Sequence, residues 1–171
     1  GVFCFLLPHT PPARKGENPL AFLEAFKLCR DGHFLLFLVI SFVVGTQLMF
    51  FFIWVPAALG VSHENVPIVM TLAQALELVT MALLPVLIPF LGMRKALTIG
   101  ILGWPVLFAV FALAGNAVTP KVCVLAFHGI GYALFLTVAF IYVDSVAEKQ
   151  IKASAQALLT FMLFGLGMFI G

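Results

Sequence analysis

The sequence has 171 residues, of which 63% are hydrophobic and 9% charged, with a mean hydropathy of +1.18. These values exclude a water-soluble globular domain and leave an all-α polytopic membrane protein. The formal net charge of +2 gives no reason to expect a nucleic-acid partner, because the basic residues lie in short connections between apolar runs and form no patch or arm.

Taken in order, Gly1 to Leu7 reads as the tail of a truncated span, ended by Pro8, Pro11 and Pro12, which break any helix. Because the chain starts inside one apolar run and stops inside another at Gly171, a fragment is expected. Residues 8–32 form a hydrophilic connection with Arg14, Lys15 and Glu17. Within it, Asn18 caps and Pro19 opens a short helix to about Arg30, with Leu20, Leu23 and Phe26 along one side. Such a helix lies either in the membrane surface or packed under the bundle. Cys4, Cys29 and Cys123 fall in separate segments without CxxC spacing and read as free thiols used as small apolar residues, so no metal site is expected.

A bundle over residues 33–171 follows. Its first full span, about 34–59, holds Thr46 and Gln47 near its centre and an aromatic cluster from Phe50 to Trp54. After a polar turn at Gly60 to Asn65, the second span covers 67–91, with Pro85 and Pro89 expected to kink its last turns. The GMRK turn, Gly92 to Lys95, leads to a third span over 96–114, in which Trp104 and Pro105 are the unusual members. A fourth span runs over 122–143, and a fifth from about 153 to residue 171, where Gly165, Gly167 and Gly171 permit close helix packing.

The second span carries one ionisable side chain, Glu77, with Gln74 one turn before it on the same face. A carboxylate near mid-bilayer costs several kcal/mol, so that face is expected to look into the bundle or a watery cavity. Spans alternate in direction, which puts Arg14, Lys15, Lys27, Arg30, Arg94, Lys95, Lys149 and Lys152 on one side and only Lys121 on the other. By the positive-inside rule the first side is cytoplasmic. Spans two and four then run the same way, placing Gln74 level with His128 and Glu77 level with Tyr132 about one turn deeper. Gln47 also comes out near mid-depth, so polar groups from three spans are expected in one layer.

Their chemistry limits what they do. A carboxylic acid withdrawn from water can hold a proton near neutral pH and release it when the cavity opens to the other side, which suits Glu77 to proton coupling. The alternative is a permanently neutral acid bonded to Gln74 or a neighbouring helix. Gln74 offers two donors and an acceptor, a match for sugar hydroxyls or base edges, or equally for an interhelical bond. His128 and Tyr132 share a face beside Gly129 and Gly131, offering a ring to stack on and a titratable donor, or interhelical bonding alone. Gln47 either contacts a solute or joins two helices. No nucleophile elbow, phosphate-cradling glycine loop or HExxH is present, so no enzyme is expected.

The PHTPP run, the GMRK turn and above all YVDSVAEKQIKASAQ, Tyr142 to Gln156, resemble the nucleoside:proton symporter family of the major facilitator superfamily. The resemblance covers nearly the whole chain. It implies a C-terminal half of that helix bundle: the end of span six, a cytoplasmic central loop, and spans seven to eleven of twelve. It also implies that Gln74 and Glu77 match a Q-x-x-E pattern of substrate contacts, and that His128 and Tyr132 stand where the family has aromatic contacts. The sequence departs from the family in having Ala133 where some members have an acid, and Met49 and Phe52 where polar residues are expected.

The resulting expectation is a secondary active transporter in the inner membrane, taking up a small polar solute, most simply a nucleoside, with protons and by alternating access. Glu77 is the proton carrier, and Gln74, Glu77, His128, Tyr132 and Gln47 are substrate contacts. Its partners are the solute, protons, the bilayer and the missing N-terminal half-bundle, with no cofactor. A transporter of a sugar or another polar metabolite, and a non-transporting receptor or assembly subunit, are the alternatives.

Overall fold

A computed structural model describes residues 21–171, so the expectations for the first apolar run, the PHTPP break and the Asn18–Pro19 cap lie outside the described residues. A short helix α1, Ala21–Ala25, passes into a 3₁₀ segment, Phe26–Arg30. Ala25 is buried while Leu23 and Phe26 are about half exposed. The Asp31 carboxylate then accepts from the His33 backbone N–H at 2.9 Å, satisfying one of the donors that a helix start leaves open. Helix α2, Gly32–Ala58, follows from this cap.

Helix α3, Val66–Leu113, holds 48 residues. Straight, it would measure about 72 Å, more than twice the hydrocarbon thickness of a bilayer. It is divided at Gly92, whose φ of 75° and ψ of 153° only glycine adopts without strain. The two arms, 66–91 and 93–113, are each long enough for one crossing. The backbone stays helical through Pro85, Pro89 and Pro105, and the break comes at the glycine. Proline removes one donor but keeps a helical φ, whereas a positive φ turns the chain outright.

Helix α4, Val118–Val146, is the centre of the bundle, with buried residues from Lys121 to Val143 on several of its faces. The chain continues through α5, Lys152–Thr160, a π-helical turn, Phe161–Gly167, and a short α6, Met168–Ile170. Side chains that point away from the bundle are as apolar as those within it: Phe90, Leu113 and Phe169 are more than four-fifths exposed. An all-apolar helix surface suits lipid on one side and neighbouring helices on the other.

In lipid no hydrophobic gain separates helix from tail, so close packing has to come from small residues. The α3–α4 contact follows that rule. A Cβ on Gly100 would lie 2.6 Å from the Phe135 backbone nitrogen, and Gly131 packs back on Gly100. Gly129 leaves no room for a side chain against the Ala73 carbonyl and the Glu77 backbone nitrogen. A second seam joins α2 to the π turn, with Gly45 against Leu163 and Gly167, while Gly171 meets Thr46. Among the described residues, polar cross-links between helices complete the frame, including the Lys152–Asp144 ion pair at 2.8 Å. Lys121 Nζ donates to the Ala58 carbonyl at 2.7 Å, and Gln156 Nε2 donates to the Phe140 carbonyl at 2.9 Å.

Candidate functional site

The first arm of α3 meets α4 along Ala73, Thr80 and Leu84, which are buried, with Glu77 half-buried among them. Spacings of three and four residues put them on one helix face. The Thr80 hydroxyl donates to the Leu76 carbonyl at 2.8 Å, so its donor is already engaged. The glycine contact at 129 draws α4 against the backbone at residues 73 and 77. The Glu77 carboxylate thereby comes within electrostatic reach of the Tyr132 phenol. Gln74, one turn earlier on the same arm, is exposed.

His128 is 5% exposed and has an aromatic ring on three sides. Its imidazole lies flat on Phe51 of α2, with centroids 3.9 Å apart and planes 19° from parallel. Trp104, from the second arm of α3, meets it near-perpendicularly at 4.5 Å and 77°. Tyr132 stands 6.0 Å away, tilted by 58°. Phe51 and Trp104 also meet each other edge to face at 6.0 Å. Three crossings therefore fix this ring, and T-shaped or stacked pairs of this kind are favourable beyond the area they bury.

Glu77, Tyr132 and His128 thus follow one another along the α3–α4 contact, and Gln74 lies exposed one turn from Glu77 on the first arm. Together they offer a carboxyl, a phenol, an amide and an imidazole, enough to accept from and donate to a solute with several hydroxyl or amide groups. Gln47 is elsewhere: with Thr46, Phe50, Phe108 and Gly171 it lines a separate cleft of about 240 Å³. A groove of about 700 Å³ lies between α2 and the second arm of α3 beside Trp54 and Phe111. Its apolar lining suits hydrocarbon and not a polar solute. Among the described residues no group of three His, Cys, Asp or Glu side chains is placed to hold a metal ion.

Sequence reasoning passes over Phe51 and Trp104 as contacts of His128. The available signal was their depth: both are aromatic residues well inside spans, and buried rings at one depth on neighbouring helices tend to meet.

The family model for nucleoside H+ symporters matches residues 1–171, the whole chain. The putative nucleoside transporter YegT of Escherichia coli (strain K12) is 33% identical over 180 residues, covering 100% of this chain and 42% of that protein. Nucleoside permease NupG of the same organism is 25% identical over 190 residues, covering 99% of this chain and 45% of that protein. A crystal structure of the nucleoside transporter NupG superposes with a TM-score of 0.80 at 23% identity, over 99% of this chain and 46% of that one. The fold is therefore that of the NupG helix bundle, and the chain spans less than half the length of the relatives it matches. By a family match along its full length, and by a bundle built from the same apolar crossings, this chain belongs to the nucleoside H+ symporter family.

Proposed function

We propose that this chain supplies the C-terminal half-bundle of a proton-coupled nucleoside transporter, a transporter and not an enzyme, working by alternating access. The observation that carries the reading is the position of Glu77. It is half-buried on the α3 face closed against α4 at Gly129, within electrostatic reach of Tyr132 and one turn from Gln74. An acid in a bundle interior at membrane depth is costly unless it works, and proton exchange is the work that suits it. In this reading Glu77 carries the proton on this half, and Gln74, Tyr132 and His128 contact the nucleoside, with an aromatic ring available to a base face. Gln47, in its own cleft, is assigned the weaker role of an outer contact.

The remaining half of the site comes from an N-terminal half-bundle, with the solute held at mid-membrane between the two halves. Residues 8–32 then serve as the cytoplasmic loop joining them, with residues 1–7 as the end of the preceding span. The loops bearing Arg94 and Lys95, and Lys149 and Lys152, face the cytoplasm, and the protein resides in the inner membrane. The alternative solute is a sugar or another polar metabolite: Ala133, Met49 and Phe52 depart from the polar residues that the family resemblance implies at those positions.

Uptake of labelled uridine by the full-length protein in vesicles tests the reading. Glu77→Gln should abolish stimulation by an inward proton gradient, and uptake that remains fully gradient-driven in that variant rejects the coupling role. Competition by a panel of nucleosides and sugars decides between the two solute classes.

A further inference from the structure

Trp104 is 1% exposed, and its indole Nε1–H has no hydrogen-bond partner. An orphaned buried donor costs about 1–3 kcal/mol, and native structures leave few of them. The adjoining ring with acceptor capacity is the His128 imidazole, near-perpendicular to the indole with centroids 4.5 Å apart. The other aromatic neighbours, Phe51 and Phe108, have no acceptor. No hydrogen bond reaches the His128 side chain among the described residues, so a ring with one donor and one acceptor nitrogen faces a donor with nowhere else to go.

From this juxtaposition we propose that Trp104 is the positioning residue for His128: a small turn of the imidazole lets one ring nitrogen accept from the indole N–H, fixing His128 in a single tautomer. Which imidazole nitrogen carries the proton is set by the bond the other one makes. Once the nitrogen toward Trp104 is an acceptor, the other is an N–H. That donor is directed away from Trp104, and Tyr132 and Glu77 lie along the same α3–α4 contact. Phe51 contributes the flat surface on which the ring turns without leaving the cluster. The ligand-contact consequence rests on the reading of His128 given above. The Trp104–His128 pairing does not.

The pairing is read from ¹⁵N spectra of histidine-labelled full-length protein in detergent, without added nucleoside. Signals of His128 are identified by their loss in His128→Phe. The expected spectrum shows one tautomer in the native protein and a mixture of two when the Trp104 N–H is removed. Removal is made by Trp104→Phe and, to keep the indole shape, by the isosteric benzothiophene analogue of tryptophan at 104. A mixture already present in the native protein, or a single tautomer that survives the analogue, overturns the pairing.

In uridine uptake the same replacements should raise KM roughly three- to tenfold, the worth of one hydrogen bond, with Vmax unchanged. They should have no further effect in a His128→Phe background. Effects that simply add there overturn the positioning role. Uptake indifferent to His128→Phe, with the tautomer result intact, rejects the site reading and leaves the pairing standing.

Discussion

The imidazole of His128 rests on the ring of Phe51 with 3.9 Å between centroids and 19° between planes. The stack ties α2 to α4, together with the Lys121–Ala58 bond and the Phe37–Tyr142 ring contact, and both of its rings are at most 5% exposed. Replacing Phe51 by Leu keeps an apolar side chain and removes the stack. Aromatic pairs contribute about 0.5–1.5 kcal/mol beyond area, and some packing is lost besides. Phe51→Leu is expected to lower the melting temperature of the purified protein, and a melt unchanged from wild type would show that the stack adds nothing.

Gly129→Ala should be far more damaging than its single methyl suggests. The added carbon has backbone atoms of residues 73 and 77 in its way, and backbone cannot move aside as a flexible side chain can. Overpacking of this kind costs about 1–3 kcal/mol, and here it also pushes the Glu77 arm off α4. Gly32→Ala, where a Cβ meets nothing within 4 Å, is the matched control. Comparing the thermal melts of the two variants gives the answer.

Lys121 is buried, donates to the Ala58 carbonyl at 2.7 Å and lies 5.8 Å from the Phe111 ring centroid. The Lys121→Met variant retains the stem and deletes the ammonium, leaving the carbonyl at the end of α2 without this donor. Bonds from charged donors contribute about 1.5–3 kcal/mol, and the loss should appear as a lower melting temperature.

At Gly92 nothing crowds an added Cβ, yet φ is +75°. Gly92→Ala therefore isolates backbone strain from sterics. A cost of about 1–3 kcal/mol is expected for holding a non-glycine residue there. Limited proteolysis between the arms of α3 should accelerate, since relief of that strain loosens the turn.

Burial pushes the Cys29 thiol up from its ordinary value of 9.0. The thiolate is the reacting form, so its share at pH 8 is reduced, and alkylation by iodoacetamide should keep rising past pH 9. Mass spectrometry of the Cys29 peptide across a pH series measures it, and a rate already level by pH 8.5 contradicts the shift.

The crossings were legible because the bilayer imposes one simple demand: long apolar runs closed by Gly, Pro and charge. Glu77 stands out in the sequence as a candidate because an acid inside such a run has few reasons to exist. Packing between helices was not legible. Most side chains are apolar on every face, so periodicity carries no information about which face touches which helix. Gln47 illustrates the point, since equal depth suggested a shared layer while rotation about α2 turned it into another cleft. The break at Gly92 falls at the start of the expected GMRK turn, whereas the backbone stays helical through Pro85 and Pro89, where kinks were expected. The strongest helix breaker in water is tolerated in a membrane span, and the residue that ends the helix is the one free to adopt a positive φ. The contacts of Phe51 and Trp104 with His128 were not legible, because a phenylalanine or tryptophan in a span is ordinary until its neighbour proves to be an imidazole.

With no gap at position 129, the first arm of α3 cannot slide along α4 without a clash of main chain on main chain. The pair therefore travels as a single slab. In the transport cycle proposed above, the acid at 77 and the phenol at 132 would then keep company throughout, and exposure to either compartment would be granted by helices moving around them. A spin label on each of the two helices, placed at exposed Leu78 and Phe127, should report one unchanging separation in every state that can be trapped.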